Sequence, residues 1–302
     1  MNIVFRFFLL LLLALVTQAV ANEQMLGQPQ KMDRSIFWSI EKGGQPAGFI
    51  IGTIHSEDPR VLDFSEELIQ KLNSTSMFAM EMVPDLPTLA RLTEYMHFPP
   101  GKTLESVIGQ ERFEALKKAM SVYSVPPEFI SRMKPWAAMM TLSTPPPKTG
   151  FFMDLSLSLR ASGSGQKVVG LETLEQQLSF LQDMPMSMQL NLLDQAIAES
   201  GGVREAHDQM VNVYLENDLV QLESLSNEEL EAVGLEAKTY FFEAGIVKRN
   251  HRMLDSLLPQ LENHQVFVAV GALHLVGDEG LLNLLRRNGY DTTPLDMPLN
   301  TE

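Results

Sequence analysis

The chain has 302 residues, 45% of them hydrophobic, no cysteine and a net charge of −15. The lack of cysteine excludes disulfides, thiolate metal ligands, a cysteine nucleophile and a lipid-modified N-terminal cysteine. The acidic balance, with no Lys/Arg cluster to offset it, repels phosphate backbones and argues against nucleic acid as a partner.

The N-terminus reads as an address. Arg6 precedes an apolar run from Phe7 to Val16, and Ala19-Val20-Ala21 is followed by the polar Asn22-Glu23. That is the pattern of a secretory signal peptide, residues 1–21, cut after Ala21. The run is shorter than the roughly 18–20 apolar residues of a spanning helix, and no later run is as long. The expectation is a periplasmic or secreted protein without a stable membrane span after cleavage. The mature chain, residues 22–302, is expected to be one α/β domain, and the sequence leaves its oligomeric state unknown. Without disulfides such a protein relies on its core, for which the apolar content suffices.

A hairpin opens the mature fold. Ser35 to Ile40 is aromatic and β-branched, Lys42-Gly43-Gly44-Gln45-Pro46 is turn-like, and Gly48 to Ile54 reads as the second strand. Leu68, Ile69 and Leu72 lie at helical spacing within 64–72. Met77 to Met80 is too short for a helix and reads as a buried strand. From Pro84 to Leu142 the period is helical, broken at Pro99-Pro100-Gly101 and Pro126-Pro127. Pro145 to Gly150 is a rigid surface loop, 151–161 a helix, and Ser162 to Gly165 a break. Lys167 to Leu171 is the next strand, and helices dominate from Leu174 to Leu261. Val266 to Leu273 is the last buried strand, and Glu279 to Asn288 a helix closed by Gly289. Strands alternating with helices, each buried on both faces, predict an α/β fold with a mostly parallel sheet covered by helices. The long helical stretches would cap one end of it.

Four of these strands end in a polar residue followed soon by a helix: His55, Glu81, Glu172 and His274. In open α/β sheets ligands sit at the carboxyl ends of the strands, where loops and helix N-termini converge. Neutral imidazole with carboxylate suits a divalent transition metal that keeps a position open for water. Gly52 and Gly271 each stand three residues before a histidine, where a missing side chain lets backbone approach a neighbour or ligand closely. Taken singly, a strand-terminal histidine is more often a hydrogen-bonded rim residue, and a glutamate after a strand an N-cap neighbour of the next helix. All four together favour a site.

The remaining histidines, at 97, 207, 251 and 264, lie in polar or Pro-rich sequence and read as solvated or structural. His-Glu-x-x-His, Gly-x-Ser-x-Gly and the phosphate-binding Gly-x-x-x-x-Gly-Lys are all absent.

One ordered series runs through nearly the whole mature chain. It comprises Gly-Thr-Ile-His at 52–55, Glu81, Lys134-Pro135-Trp136, Gly150-Phe151-Phe152-Met153-Asp154, Gly170-Leu171-Glu172-Thr173, Arg249-Asn250 and Val270-Gly271-Ala272-Leu273-His274-Leu275. It resembles the TraB/PrgY/GumN family, which is related to the Tiki metalloproteases and, more distantly, to erythromycin esterases and ChaN-like haem-binding proteins. The resemblance implies a metal site of His55, Glu81 and His274 assisted by Glu172, with Asp154, Arg249 and Asn250 nearby. It implies manganese or cobalt-like metals, with zinc also possible, and a peptide or small-molecule substrate that the sequence leaves unnamed.

The expected activity is metal-dependent hydrolysis of a peptide or ester bond. Glu172 either completes the metal shell or acts as general base, and Arg249 either stabilises the oxyanion or pairs with a carboxylate. The alternative is a non-catalytic periplasmic binding module for haem or a small peptide or signal ligand.

Overall fold

Residues 34–300 are described by the computed structural model, so the expected signal peptide lies outside the described residues. Six strands form one sheet in the order β4-β3-β5-β2-β1-β6. They are β1 (Phe37–Lys42), β2 (Gln45–Thr53), β3 (Met77–Met80), β4 (Lys167–Gly170), β5 (Val266–Gly271) and β6 (Asp291–Pro294). The four neighbours β4, β3, β5 and β2 run parallel, and β1 pairs antiparallel with both β2 and β6. The α/β expectation therefore holds, with the hairpin as one antiparallel margin. β6 was not expected: Asp291-Thr292-Thr293-Pro294 is short and polar, and Pro is tolerated there because it lies on an edge strand.

The central strand β5 is buried along its whole length, as its unbroken Val/Phe/Ala run requires. Phe267 on β5 stacks on Phe78 of β3 at 6.0 Å and also meets Phe37 and Phe49. β5 stops at Gly271, two residues earlier than its sequence pattern suggests, and Ala272–His274 form a 3-10 turn. β2 and β5 are in register to the end, with Thr53 opposite Gly271. Beyond that pair the turn crowds β2. A side chain at Gly52 would meet the Ala272 Cα at 2.7 Å, so the approach inferred for Gly52 is observed.

The apolar interior forms two main clusters. One comprises the sheet and the helices on it, among them α1 (Met153–Gly163). The other is helical and draws on 98–142, 174–196 and 230–246, with Trp136 to Met139 at its centre. It includes α2 (Leu174–Gln182) and ends at the π-helical turn Phe241–Val247, which leads into α3 (Lys248–Asn263). No helix among the described residues is long and apolar enough to cross a membrane.

Glu223, on the helix Leu219–Val233, carries a pH-dependent cost. Burial, reinforced by Asp278, pushes its carboxyl up from 4.5 to about 7. The native state therefore holds this proton more tightly than the unfolded chain. The sign follows: stability falls as pH rises from 4.5 to about 7 and is level above that. Glu223→Gln removes the charge that burial disfavours. Its denaturation midpoint relative to wild type should climb between pH 5 and pH 8, whereas a constant offset would contradict this.

Candidate active site

The polar residues stand where the chain crosses between the two clusters. Met80 belongs to the sheet core while Met82 packs on the helical one, and Glu81 lies between them. Glu172 lies likewise between Leu171 and Leu174, and Arg249 and Asn250 between Ile246 and Met253. Because β4, β3, β5 and β2 are parallel neighbours, their ends bring Glu172, Glu81, His274 and His55 to one rim in that order.

Arg249 is the hub. Its Nε donates to Glu172 Oε2 at 2.8 Å, and its Nη2 donates to Glu172 Oε2 and Glu81 Oε2, each at 2.6 Å. The side chains of Arg249 and Glu172 are 1% and 0% exposed, so this is a buried charge cluster. The π-helical turn before α3 is the kind of irregularity that recurs at functional sites, and it leads the chain into Arg249. A capping box between Thr173 and Gln176 starts α2 directly after Glu172 and fixes the strand-to-helix turn.

Glu81 is held from three further sides. Its Oε1 accepts the Gly271 N–H at 2.8 Å, its Oε2 accepts Gln177 Nε2 at 3.1 Å, and Oε1 lies 3.7 Å from His274 Nε2. Burial pushes its carboxyl up, but Arg249 and the Gly271 N–H outweigh that and hold it below the usual range. For Glu172 burial wins over Arg249, and its carboxyl is raised. Burial pushes His274 down to about 3, so its fully buried ring is neutral at pH 7. The Nδ1 of His274 lies 2.6 Å from Asn250 Oδ1.

His55 and Asp154 form a neighbouring pair. His55 Nδ1 is 3.9 Å from Asp154 Oδ2, and its ring stacks on Phe152 at 3.7 Å. Asp154, in the first turn of α1, accepts a hydrogen bond from Thr53 Oγ1. Tyr214, fully buried, donates to the Gly52 carbonyl at 2.7 Å. The structure thus hydrogen-bonds Arg249 to Glu81 and Glu172 and, separately, Asn250 to His274, with the two groups meeting at the 3.7 Å approach of Glu81 to His274, while the polar contacts of His55 and Asp154 run to each other and to Thr53.

The donor set can be tested against a divalent ion. Glu172 Oε1, Gln177 Oε1 and His274 Nε2 are buried polar atoms with no hydrogen-bond partner among the described residues. An ion bonded at about 2.0–2.2 Å to nitrogen and oxygen spans the 3.7 Å between His274 Nε2 and Glu81 Oε1. Those two atoms fit. Among the described residues no three His, Asp or Glu side chains already form a metal-holding group, so a third ligand is not yet gathered around the pair.

Several neighbours escaped the sequence reading. Gln177 carries no signal, being one polar residue on an amphipathic helix. Thr53 and Phe152 lie inside quoted motifs, but nothing in their type announces a contact with Asp154 or His55. Among the remaining histidines, His207 is mostly buried and close enough to His55 and Asp58 to feel their charge.

Comparison with known proteins adds relatives. The family model described as the TraB/PrgY/gumN family matches residues 36–294. Metalloprotease TIKI1 of Danio rerio is 25% identical over 328 aligned residues, covering 90% of this chain and 66% of the relative. Metalloprotease TIKI2 of the same fish is 24% identical, covering 89% of this chain and 63% of the relative. The chain thus spans less than two thirds of the length of these relatives. The uncharacterized protein YbaP of Escherichia coli (strain K12) is 25% identical, covering 78% of this chain and 87% of that protein. No solved structure matches.

Proposed function

We propose that this chain, which belongs to the TraB/PrgY/gumN family, is an exported metal-dependent hydrolase of peptide or ester bonds. The observation that carries the reading is the buried, unpartnered Nε2 of His274, 3.7 Å from a Glu81 carboxylate held ionised by Arg249. The names of the two metalloprotease relatives point the same way.

His274 and Glu81 would hold the ion, with His55 as the third ligand. His55 is 35% exposed, and among the described residues no short hydrogen bond ties its ring. When bound there, a divalent ion such as manganese, cobalt or zinc would supply Lewis acidity and make water a better nucleophile at neutral pH. The protein's own groups do the rest. Glu172 is the general base: among the described residues its Oε1 has no competing hydrogen bond, and burial raises its proton affinity. Arg249 is spent on two carboxylates, so it positions Glu81 and Glu172 rather than meeting the substrate. Asp154, braced by Thr53, orients His55. The signal sequence would deliver the mature chain to the periplasm or medium.

The test is turnover by the mature protein on a mixed peptide and ester library, with and without a chelator. Cleavage that stops with chelator and returns with added manganese or cobalt is expected. Retention of library members without cleavage would instead support a binding module for haem or a peptide ligand.

A further inference from the structure

A neutral imidazole carries its proton on one nitrogen only, and the neighbour of the other nitrogen decides which. At His274 that neighbour is the amide of Asn250. Asn250 Nδ2 donates to the His274 carbonyl at 3.3 Å and to the Glu279 carbonyl at 2.7 Å, using both of its hydrogens. Its orientation is therefore fixed. A flipped amide would set Oδ1 against two carbonyl oxygens and lose both bonds. In the fixed orientation Oδ1 faces His274 Nδ1 at 2.6 Å, and an amide oxygen only accepts. The hydrogen must lie on Nδ1. Glu81 Oε1 would favour a hydrogen on Nε2, but at 3.7 Å it is too far to accept one.

We infer that Asn250 is a positioning residue that locks His274 as the Nδ1–H tautomer and presents the Nε2 lone pair to Glu81. Asn250 and His274 are both fully buried, so water cannot take over the Asn250 role cheaply. The bond to Glu279 also ties the lock to the loop following His274. The tautomer stands by itself. Its use as a metal-binding device rests on the proposed function.

Nitrogen-15 NMR of the imidazole rings in the metal-free mature protein at neutral pH reads the tautomer directly, with His274 assigned by its loss in His274→Gln. Wild type should show a protonated Nδ1 and a bare Nε2. Asn250→Ala should shift the proton to Nε2 or average the two sites. A protonated Nε2 in wild type, or an unchanged Nδ1–H form in Asn250→Ala, overturns the inference. If Asn250→Ala fails to fold, the wild-type spectrum still decides, because a protonated Nε2 there overturns the inference. Titration with manganese alone separates the two readings, since Asn250→Ala should weaken binding roughly 10–100-fold. A moved proton with unchanged manganese affinity would uphold the lock and contradict the metal reading of His274.

Discussion

Arg249→Met should cost about 3–5 kcal/mol of unfolding free energy, read from denaturant melts at pH 7. The substitution keeps most of the volume but removes the cation that answers two carboxylates. Glu172, 0% exposed, and Glu81, 13% exposed, would be left as uncompensated charges beneath the helical cluster. Desolvation of such groups is much dearer than loss of a surface pair, whose removal costs about 1 kcal/mol or less. Two further outcomes follow from the same cause. The loss should shrink as pH falls, because the stranded carboxylates can protonate. Adding Glu172→Gln to Arg249→Met should recover part of it, since one of the two charges is then gone. A loss below about 1 kcal/mol, unaffected by pH, would mean that water reaches the cluster.

Glu172→Gln should lower turnover by roughly 10²–10⁴-fold, the usual share of a general base, while leaving metal content near wild type. The amide preserves shape but cannot take a proton at the position of Oε1. His274→Ala should remove turnover and metal together, because it deletes one of the two donors that already stand a shared ion's span apart. Parallel assays of the two variants separate the roles. If Glu172→Gln loses its metal as fully as His274→Ala, Glu172 is a ligand, and the base is to be sought at Asp154.

Much of this arrangement was legible because its signals are local. A buried parallel strand needs an apolar run, and Met77 to Met80 and Val266 to Gly271 are such runs. The rim follows from topology, since parallel neighbours end on the same side, and so the polar residues after β2, β3, β4 and β5 gather there. What stayed hidden is long-range. Gln177 reaches Glu81 only because the chain returns along α2, and Tyr214 meets the Gly52 carbonyl across 162 residues. The two histidines also look alike in sequence, each three residues after a glycine. The structure sets them in different surroundings, one fully buried beside Asn250 and one partly exposed against Phe152 and Asp154. Polar β6 was missed for a related reason, as its pairing with β1 rather than its own composition makes it a strand.

Elemental analysis of the mature protein, purified without added metal, addresses the central claim most directly. Wild type should carry about one equivalent of a divalent transition metal, with His274→Ala and His55→Ala each losing it while remaining folded. A metal-free wild type that takes up none on titration, or a His274→Ala variant that keeps its ion, would contradict the account.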